Sequence, residues 1–446
     1  MKSSTKKALA FVLAALLVII SIPVAKSYVA NAAASSSVVI TESSGWLESA
    51  YVKWNSVNNA KGYNVYYKSA SAQDSEYKQL DDSLIRQYKT YFRADIPGLK
   101  AGEYVMKVVP IVSGSESAKL AATTGKLTVT AHTREGFAFS SSSPAKTGSG
   151  AYNDDGTVPS NAQIVYITDE TKDSVTLDVI TNSKGSKTTC KGLTDILTKR
   201  QKGYDTTPLI IRLVGQINDP SGLNSNGYLQ IKGCKNMTIE GIGEDASAYG
   251  WGILIRDSQN VEVRNIAVML FDDDGISLDT NNANIWIHNN EIFYGNAGSD
   301  KDQVKGDGSC DVKQNSTYVT VSYNHFWDSG KCSLCGMSDT EEFFVTYHHN
   351  WFDHSDSRHP RIRVGSIHVY NNYYDGNSKY GVGVTKGSSA FVEANYFRNC
   401  KNPMMSSLQG TDALGEGTFS NEAGGMIKAY NNTIIGASSL IYANAK

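Results

Sequence analysis

The feature that most constrains this 446-residue chain is a repeat in its C-terminal part. Val261-Glu-Val-Arg-Asn265, Ile285-Trp-Ile-His-Asn-Asn290, Val319-Thr-Val-Ser-Tyr-Asn324, Phe344-Val-Thr-Tyr-His-His-Asn350, Ile367-His-Val-Tyr-Asn-Asn372 and Ala390-Phe-Val-Glu-Ala-Asn395 share one design. Alternating apolar residues lead into an asparagine, and an apolar pair follows it. The asparagines lie 25, 34, 26, 22 and 23 positions apart. A period in the low twenties, with a strand, a polar corner and a second strand, describes one coil of a parallel β-helix. Propeller blades need a longer period, and leucine repeats need leucines where this chain has Val, Ile and Asn. The asparagine is expected to take the left-handed backbone at the corner and to hydrogen-bond the coils above and below. The longer interval between Asn290 and Asn324 predicts a loop projecting from the coil. Ahead of the repeat, Leu193 to Lys202 reads as a short helix capping the coil, and Pro208 to Ile217 as the first fully buried strand.

The N-terminal end carries different signals. Lys2, Lys6 and Lys7 precede an apolar stretch, Ala8 to Ile22, and Ala30-Asn-Ala32 supplies a small-residue cleavage site. Residues 1–32 therefore read as a secretory signal peptide, which predicts a secreted, extracellular protein without a membrane anchor. Removing its four lysines takes the formal charge from −2 to about −6, which argues against a general nucleic-acid binder. Residues 37–131 alternate large apolar with polar side chains in short runs, among them Tyr51–Trp54, Gly62–Tyr67, Tyr91–Asp95 and Tyr104–Val109. Half-buried strands require that alternation, and about seven of them predict an antiparallel β-sandwich. Residues 132–160 are rich in Ser, Gly and Asp and read as a linker into a domain spanning 161–446. All six cysteines lie in that domain, and Cys332-Ser-Leu-Cys335 lacks the second pair a zinc site needs. Buried thiols or one disulfide are expected instead.

Two acidic clusters fall where repeat turns end: Asp272-Asp-Asp274, and Asp307 with Asp311 in the long insertion. One coil returns the chain to nearly the same lateral position, so the clusters become vertical neighbours that a cation such as calcium joins. Solvated loops, or paired aspartates for glycoside hydrolysis, are the alternatives. Downstream stand Lys331 and the run Arg358-His-Pro-Arg361-Ile-Arg363. Three arginines in six residues make a carboxylate clamp suited to a polyuronate, or else a structural salt-bridge network.

From Ile164 onward the chain resembles the family 1 pectate lyases, and the N-terminal unit resembles a fibronectin type III module. The first likeness rests on Pro208–Ile217, Met237-Thr-Ile-Glu-Gly-Ile-Gly243, Asn260–Ile266, Asp307-Gly-Ser-Cys-Asp-Val-Lys313, Val319–Asn324, and His348-His-Asn350 through Arg363. The second rests on Trp54, Gly62-Tyr63, Ile96-Pro-Gly-Leu99 and Gly102-Glu-Tyr104; a spacer or a carbohydrate- or partner-binding role follows. The lyase resemblance implies an all-β, right-handed parallel β-helix and calcium-dependent β-elimination of polygalacturonate; a monomer is the default expectation. It implies Asp274, Asp307 and Asp311 as calcium ligands, with Asp272 near a further ion. Arg358 matches the arginine that takes the proton at carbon 5, Lys331 and Arg363 match residues that bind substrate carboxylates, and Arg361 is placed with them. An arginine base needs nearby cations to favour its neutral form. Two departures stand out: Trp286-Ile-His-Asn289 replaces the family's Trp-Ile-Asp-His, and the stop at Lys446 predicts a chain shortened at its C-terminus. His288, His348 and His349, with Trp286 and Trp327, are expected to stack or pack within the repeat. The competing functions are a polygalacturonase-type hydrolase and a non-catalytic polysaccharide-binding β-helix.

Overall fold

The computed structural model describes residues 35–295, 307–409 and 421–438. The signal segment and most of the projecting loop between Asn290 and Asn324 lie outside the described residues. The repeat folds as a parallel β-helix whose coil has three strands. Gly252–Arg256, Gln259–Arg264 and Ala267–Met269 make one such coil. Each strand pairs in parallel with its equivalent one coil on, as Val261 with Ile285 and Val268 with Ile292. Right-handed winding is the form that such parallel connections take. Period-2 alternation turns Ile, Val and Leu inward, so a continuous core runs from Val165 to Met404. Within it Phe326, Phe352, Tyr374 and Phe397 stack at 5.1, 5.0 and 4.3 Å. All six cysteines are buried there as free thiols rather than a disulfide. The helix Leu193–Arg200 closes the first coils, as the apolar positions Leu193, Ile196 and Leu197 required.

The asparagine ladder differs by one position from its expected geometry. The left-handed corner residues are Asn265, Asn289, Tyr323, His349, Asn371, Ala394 and Asn431. The amide ladder belongs to the residue after the corner: Asn290, Asn324, Asn350, Asn372, Asn395 and Asn432 pass bonds of 2.9–3.1 Å from Nδ2 to the next Oδ1. Asn265 is therefore a corner, and Ile266 donates its N–H to Asn290 instead. Each ladder asparagine satisfies backbone groups that no strand partner reaches. Asn350 gives Nδ2 to the Val321 carbonyl and to Asn372, while its Oδ1 accepts from the Asn324 backbone and side chain. Asn350→Ala leaves these groups buried and unpaired, at a cost of about 3 kcal/mol. The expected readout is a lower denaturation midpoint of the β-helix; an unchanged midpoint contradicts this role.

The N-terminal unit consists of two antiparallel sheets, one ordered Ile40–Trp46, Ser49–Trp54, Phe92–Pro97, Ile85–Gln87, the other Leu127–Val129, Gly102–Val112, Ala60–Ser69, Lys78–Gln79. They enclose Val52, Trp54, Val65, Ala94, Met106 and Val108. The β-helix contributes Ile242 to that same core. Glu244 pairs with Lys53 at 3.1 Å and Arg93 at 2.6 Å, and Asp245 pairs with Arg86. The two units thus share packing as well as charge.

Residues 132–160 do not behave as a free linker. They run back along the β-helix as a strap, donating backbone N–H groups to outward side chains of successive coils. Phe137 reaches Thr346, Ala138 reaches Thr320, Ala145 reaches Asn284, Gly150 reaches Asn260 and Ala151 reaches Thr238, all at 2.9–3.1 Å. Ser and Gly suit this contact because the backbone must come close. A Cβ on Gly150, whose φ is +60°, would lie 2.4 Å from Thr238 Oγ1. Beneath the strap lies a buried charge network of Glu48, Glu240 and Glu262 with Arg134, Arg212 and Arg264.

Candidate active site

One face of the β-helix gathers the charged residues. In the strand Cys310–Lys313, Cys310 and Val312 point into the core, so Asp311 and Lys313 point out. Parallel register carries the Asp311 position through Leu334 to Arg361, while Gly336 and Arg363 extend the column begun by Lys313. The turns entering these strands supply the rest. Asp272-Asp-Asp274 precedes Ile276, Asp307 precedes Cys310, and Lys331 bridges in parallel to Ser357, beside Arg358. Carboxylates thus occupy the earlier coils, with Lys313 among them, and Lys331 and the arginines the later ones.

The acidic end is tightly organised. Carboxylate oxygens of Asp273, Asp274 and Asp307 lie within 4.8 Å of one another. The Asp307 N–H donates to the Asp273 carbonyl at 2.6 Å, and the Gly308 N–H donates to Asp274 Oδ1 at 2.9 Å. Ser277 donates to Asp274 Oδ2 at 2.8 Å. Lys313 Nζ sits between Asp274 at 2.7 Å and Asp311 at 3.4 Å, and Lys331 pairs with Asp307. Burial, reinforced by Asp274, pushes Asp311 up to about 7. Burial also opposes charge on Asp307, but Lys331, with Arg358 and Lys313 farther off, outweighs it and holds that carboxyl below its usual range. A cluster of hard oxygen donors with excess negative charge fits a hard divalent cation such as calcium.

At the basic end, Arg358 has a left-handed backbone, φ 64°, and its carbonyl accepts from the Ser333 N–H at 2.7 Å. Among the described residues its guanidinium makes no hydrogen bond or ion pair. Arg361 is half-buried, and burial lowers its basicity, with Arg358 and Arg363 adding to the effect. Arg363 is already engaged, donating to the Met337 carbonyl and, at 2.7 Å, to Glu422.

Residues 206–443 match the family described as pectate lyase. The chain belongs to the pectate lyase family. A pectate trisaccharide-lyase of Bacillus licheniformis is 34% identical over 228 residues, covering 49% of this chain and 65% of that protein. Pectate lyase 1 of Pectobacterium carotovorum is 36% identical over 195 residues, covering 42% and 50%. The chain therefore spans about half to two thirds of the length of these curated relatives. The crystal structure of a Bacillus pectate lyase in complex with trigalacturonate aligns with a TM-score of 0.52 at 24% identity, covering 68% of this chain and 88% of that one. That likeness concerns the fold.

Set against the pectate lyase pattern, the structure brings Asp274, Asp307, Asp311, Lys331, Arg358, Arg361 and Arg363 onto one face. Asp272 stays outside the carboxylate cluster. It is exposed and turned toward Gly227, while Asp273, not among the expected ligands, joins Asp274 and Asp307 in the cluster. Lys313 was not singled out from sequence, although its spacing of two from Asp311 on a strand puts both on one face. The altered Trp286-Ile-His-Asn289 corner lies away from this site. Trp286 stacks on His288 at 3.5 Å, and His288 Nε2 is 2.9 Å from Glu262 beneath the strap. His348 and His349 stack on Tyr370 and Tyr323, and Trp327 stacks on Phe293. All of these are packing roles, as expected. Among the described residues no helix is long and apolar enough to cross a membrane.

Proposed function

We propose that this chain is a secreted, calcium-dependent pectate lyase that cleaves demethylated polygalacturonate by β-elimination. The observation that carries the reading is the ordered face, with clustered aspartates at one end and Lys331, Arg358, Arg361 and Arg363 on the coils that follow. A hydrolase acting on neutral sugar needs two carboxyls set apart for acid and base. Here Asp274 and Asp311 share one lysine, Lys313, and Asp307 pairs with Lys331, so the carboxylates are tied into one cluster rather than set apart.

Asp274, Asp307 and Asp311, joined by Asp273, would hold the calcium ion. The bound ion would supply positive charge that draws electrons from the uronate carboxyl. Arg361 and Arg363 lie where a run of substrate carboxylates is to be oriented, since guanidinium groups match carboxylates in two-point contacts. Arg358 takes the proton at carbon 5, the electron pair released forms the double bond to carbon 4, and the C4–O bond breaks, its oxygen leaving with the bonding pair and taking a proton from water. Lys331, whose backbone bridges to Ser357 next to Arg358, pairs with Asp307 and so links the aspartate cluster to the basic end. Residues 1–32 direct export, and the sandwich, a fibronectin type III-like module, serves as a fixed spacer. The protein acts as a monomer. Mass analysis of digested polygalacturonate tests the reaction class. Products lighter by one water than hydrolytic fragments support elimination, and fragments of hydrolytic mass refute it.

A further inference from the structure

Arg363 carries an internal carboxylate. Glu422 Oε1 accepts from Arg363 Nη2 at 2.7 Å and lies 3.9 Å from Lys386 Nζ. The Met337 carbonyl takes Nη1, while Nε is buried and has no hydrogen-bond partner. An arginine offers its Nε and Nη2 edge as a fork that fits both oxygens of a carboxylate. Glu422 therefore uses one tooth of the fork and leaves the other unmet. A uronate carboxylate that took the whole fork would have to displace Glu422 from Nη2. While Glu422 remains, an incoming carboxylate meets its negative charge at close range; a methyl ester, being neutral, does not.

We propose that Glu422 sets the carboxylate specificity of the Arg363 end of the charged face by competing with the substrate for that guanidinium. It cancels the advantage a free acid would otherwise have over its methyl ester at this position. The inference rests on the polyuronate reading given above. Glu422 acts through Arg363, so it is a specificity residue and takes no part in proton transfer.

The test is Glu422→Gln, which keeps the side-chain shape and an acceptor oxygen while removing the charge. KM for polygalacturonate is expected to fall about two- to fivefold, the range for loss of one partly screened charge contact. The ratio of kcat/KM on demethylated over highly methyl-esterified pectin is expected to rise by a similar factor. Glu422→Ala, which also removes the hydrogen bond, is expected to shift both quantities in the same direction. A higher KM in both variants would mean that Glu422 only orients Arg363, and an unchanged ester ratio would mean that it does not face substrate. Either result overturns the proposal. If the wild-type chain eliminates no polygalacturonate, the functional reading fails by itself. Calorimetry with trigalacturonate then decides this inference: tighter binding by Glu422→Gln sustains it, and equal or weaker binding ends it.

Discussion

Arg358→Lys is expected to lower turnover of polygalacturonate by about 10³-fold, the scale of losing a positioned general base. The substitution keeps a cation but shortens its reach and replaces a planar, branched group with a point charge. Around it the other cations are committed. Lys331 is held by Asp307, Lys313 by Asp274 and Asp311, and Arg363 by Glu422 and the Met337 carbonyl. Arg361 is half-buried and donates to the Gly336 carbonyl at 3.5 Å. Arg358 is the one whose guanidinium has no hydrogen bond or ion pair among the described residues, so it alone is placed to exchange a proton without breaking a contact. Because the substitution preserves charge, oligogalacturonate affinity should change by a few-fold at most. Steady-state rates paired with calorimetric affinity separate the two effects. Turnover near the wild-type level, or affinity lost together with turnover, contradicts the role.

The second large effect lies far from the charged face. Arg264→Met is expected to destabilise the protein by about 3–5 kcal/mol, the range for removing one partner from a buried ionic network. Arg264 bonds Glu240 at 2.8 and 3.0 Å, contacts Glu262 at 3.3 Å and Glu48 at 3.7 Å, and lies over the Tyr152 ring. In the wild type, burial pushes Glu240 up, but Arg264 and Arg212 outweigh it and hold its carboxyl below the usual range. Glu262 is already raised, chiefly by burial. Without Arg264 both carboxyls have raised folded-state values, so the loss of stability develops as pH rises through those values. Acidification protonates both and narrows the gap. Melting curves of wild type and variant at neutral pH and at about pH 5 check this sign. A gap that is equal at both, or wider in acid, contradicts it. Because Glu48 belongs to the sandwich and Arg134 to the strap, the same variant should loosen the seam between the two units.

Much of this architecture was legible in the sequence because the β-helix repeats its own constraints. The strand Tyr51–Trp54 lies within Ser49–Trp54, and Tyr104–Val109 within Gly102–Val112. The repeat also put the charged residues on one face, since residues at one phase of the coil must stack. The one-residue error in the asparagine ladder has a physical cause. Asn suits both the left-handed corner and the amide ladder, so Asn289-Asn290 and Asn371-Asn372 do not separate the two roles. Tyr323-Asn324, His349-Asn350 and Ala394-Asn395 do. The corner varies there, while the ladder position keeps the one side chain that both donates and accepts along the axis. Asp273 escaped notice as a member of the cluster because it sits in a turn, where neither strand nor helix period fixes which way a side chain faces. Glu422 on Arg363 and Glu244 on Lys53 are joined across 59 and 191 positions, and no local pattern announces such pairs. The strap was read as a linker because its Ser and Gly composition is also what close backbone docking demands.

The most direct test of the account is ultraviolet absorbance of polygalacturonate incubated with the full chain, first with calcium and then with a chelator added. Elimination creates a double bond conjugated to the uronate carboxyl, so absorbance is predicted to climb steadily with calcium and to stop when the chelator is added. New reducing ends without a rise in absorbance, or a rise that the chelator leaves untouched, would contradict calcium-dependent elimination at this face.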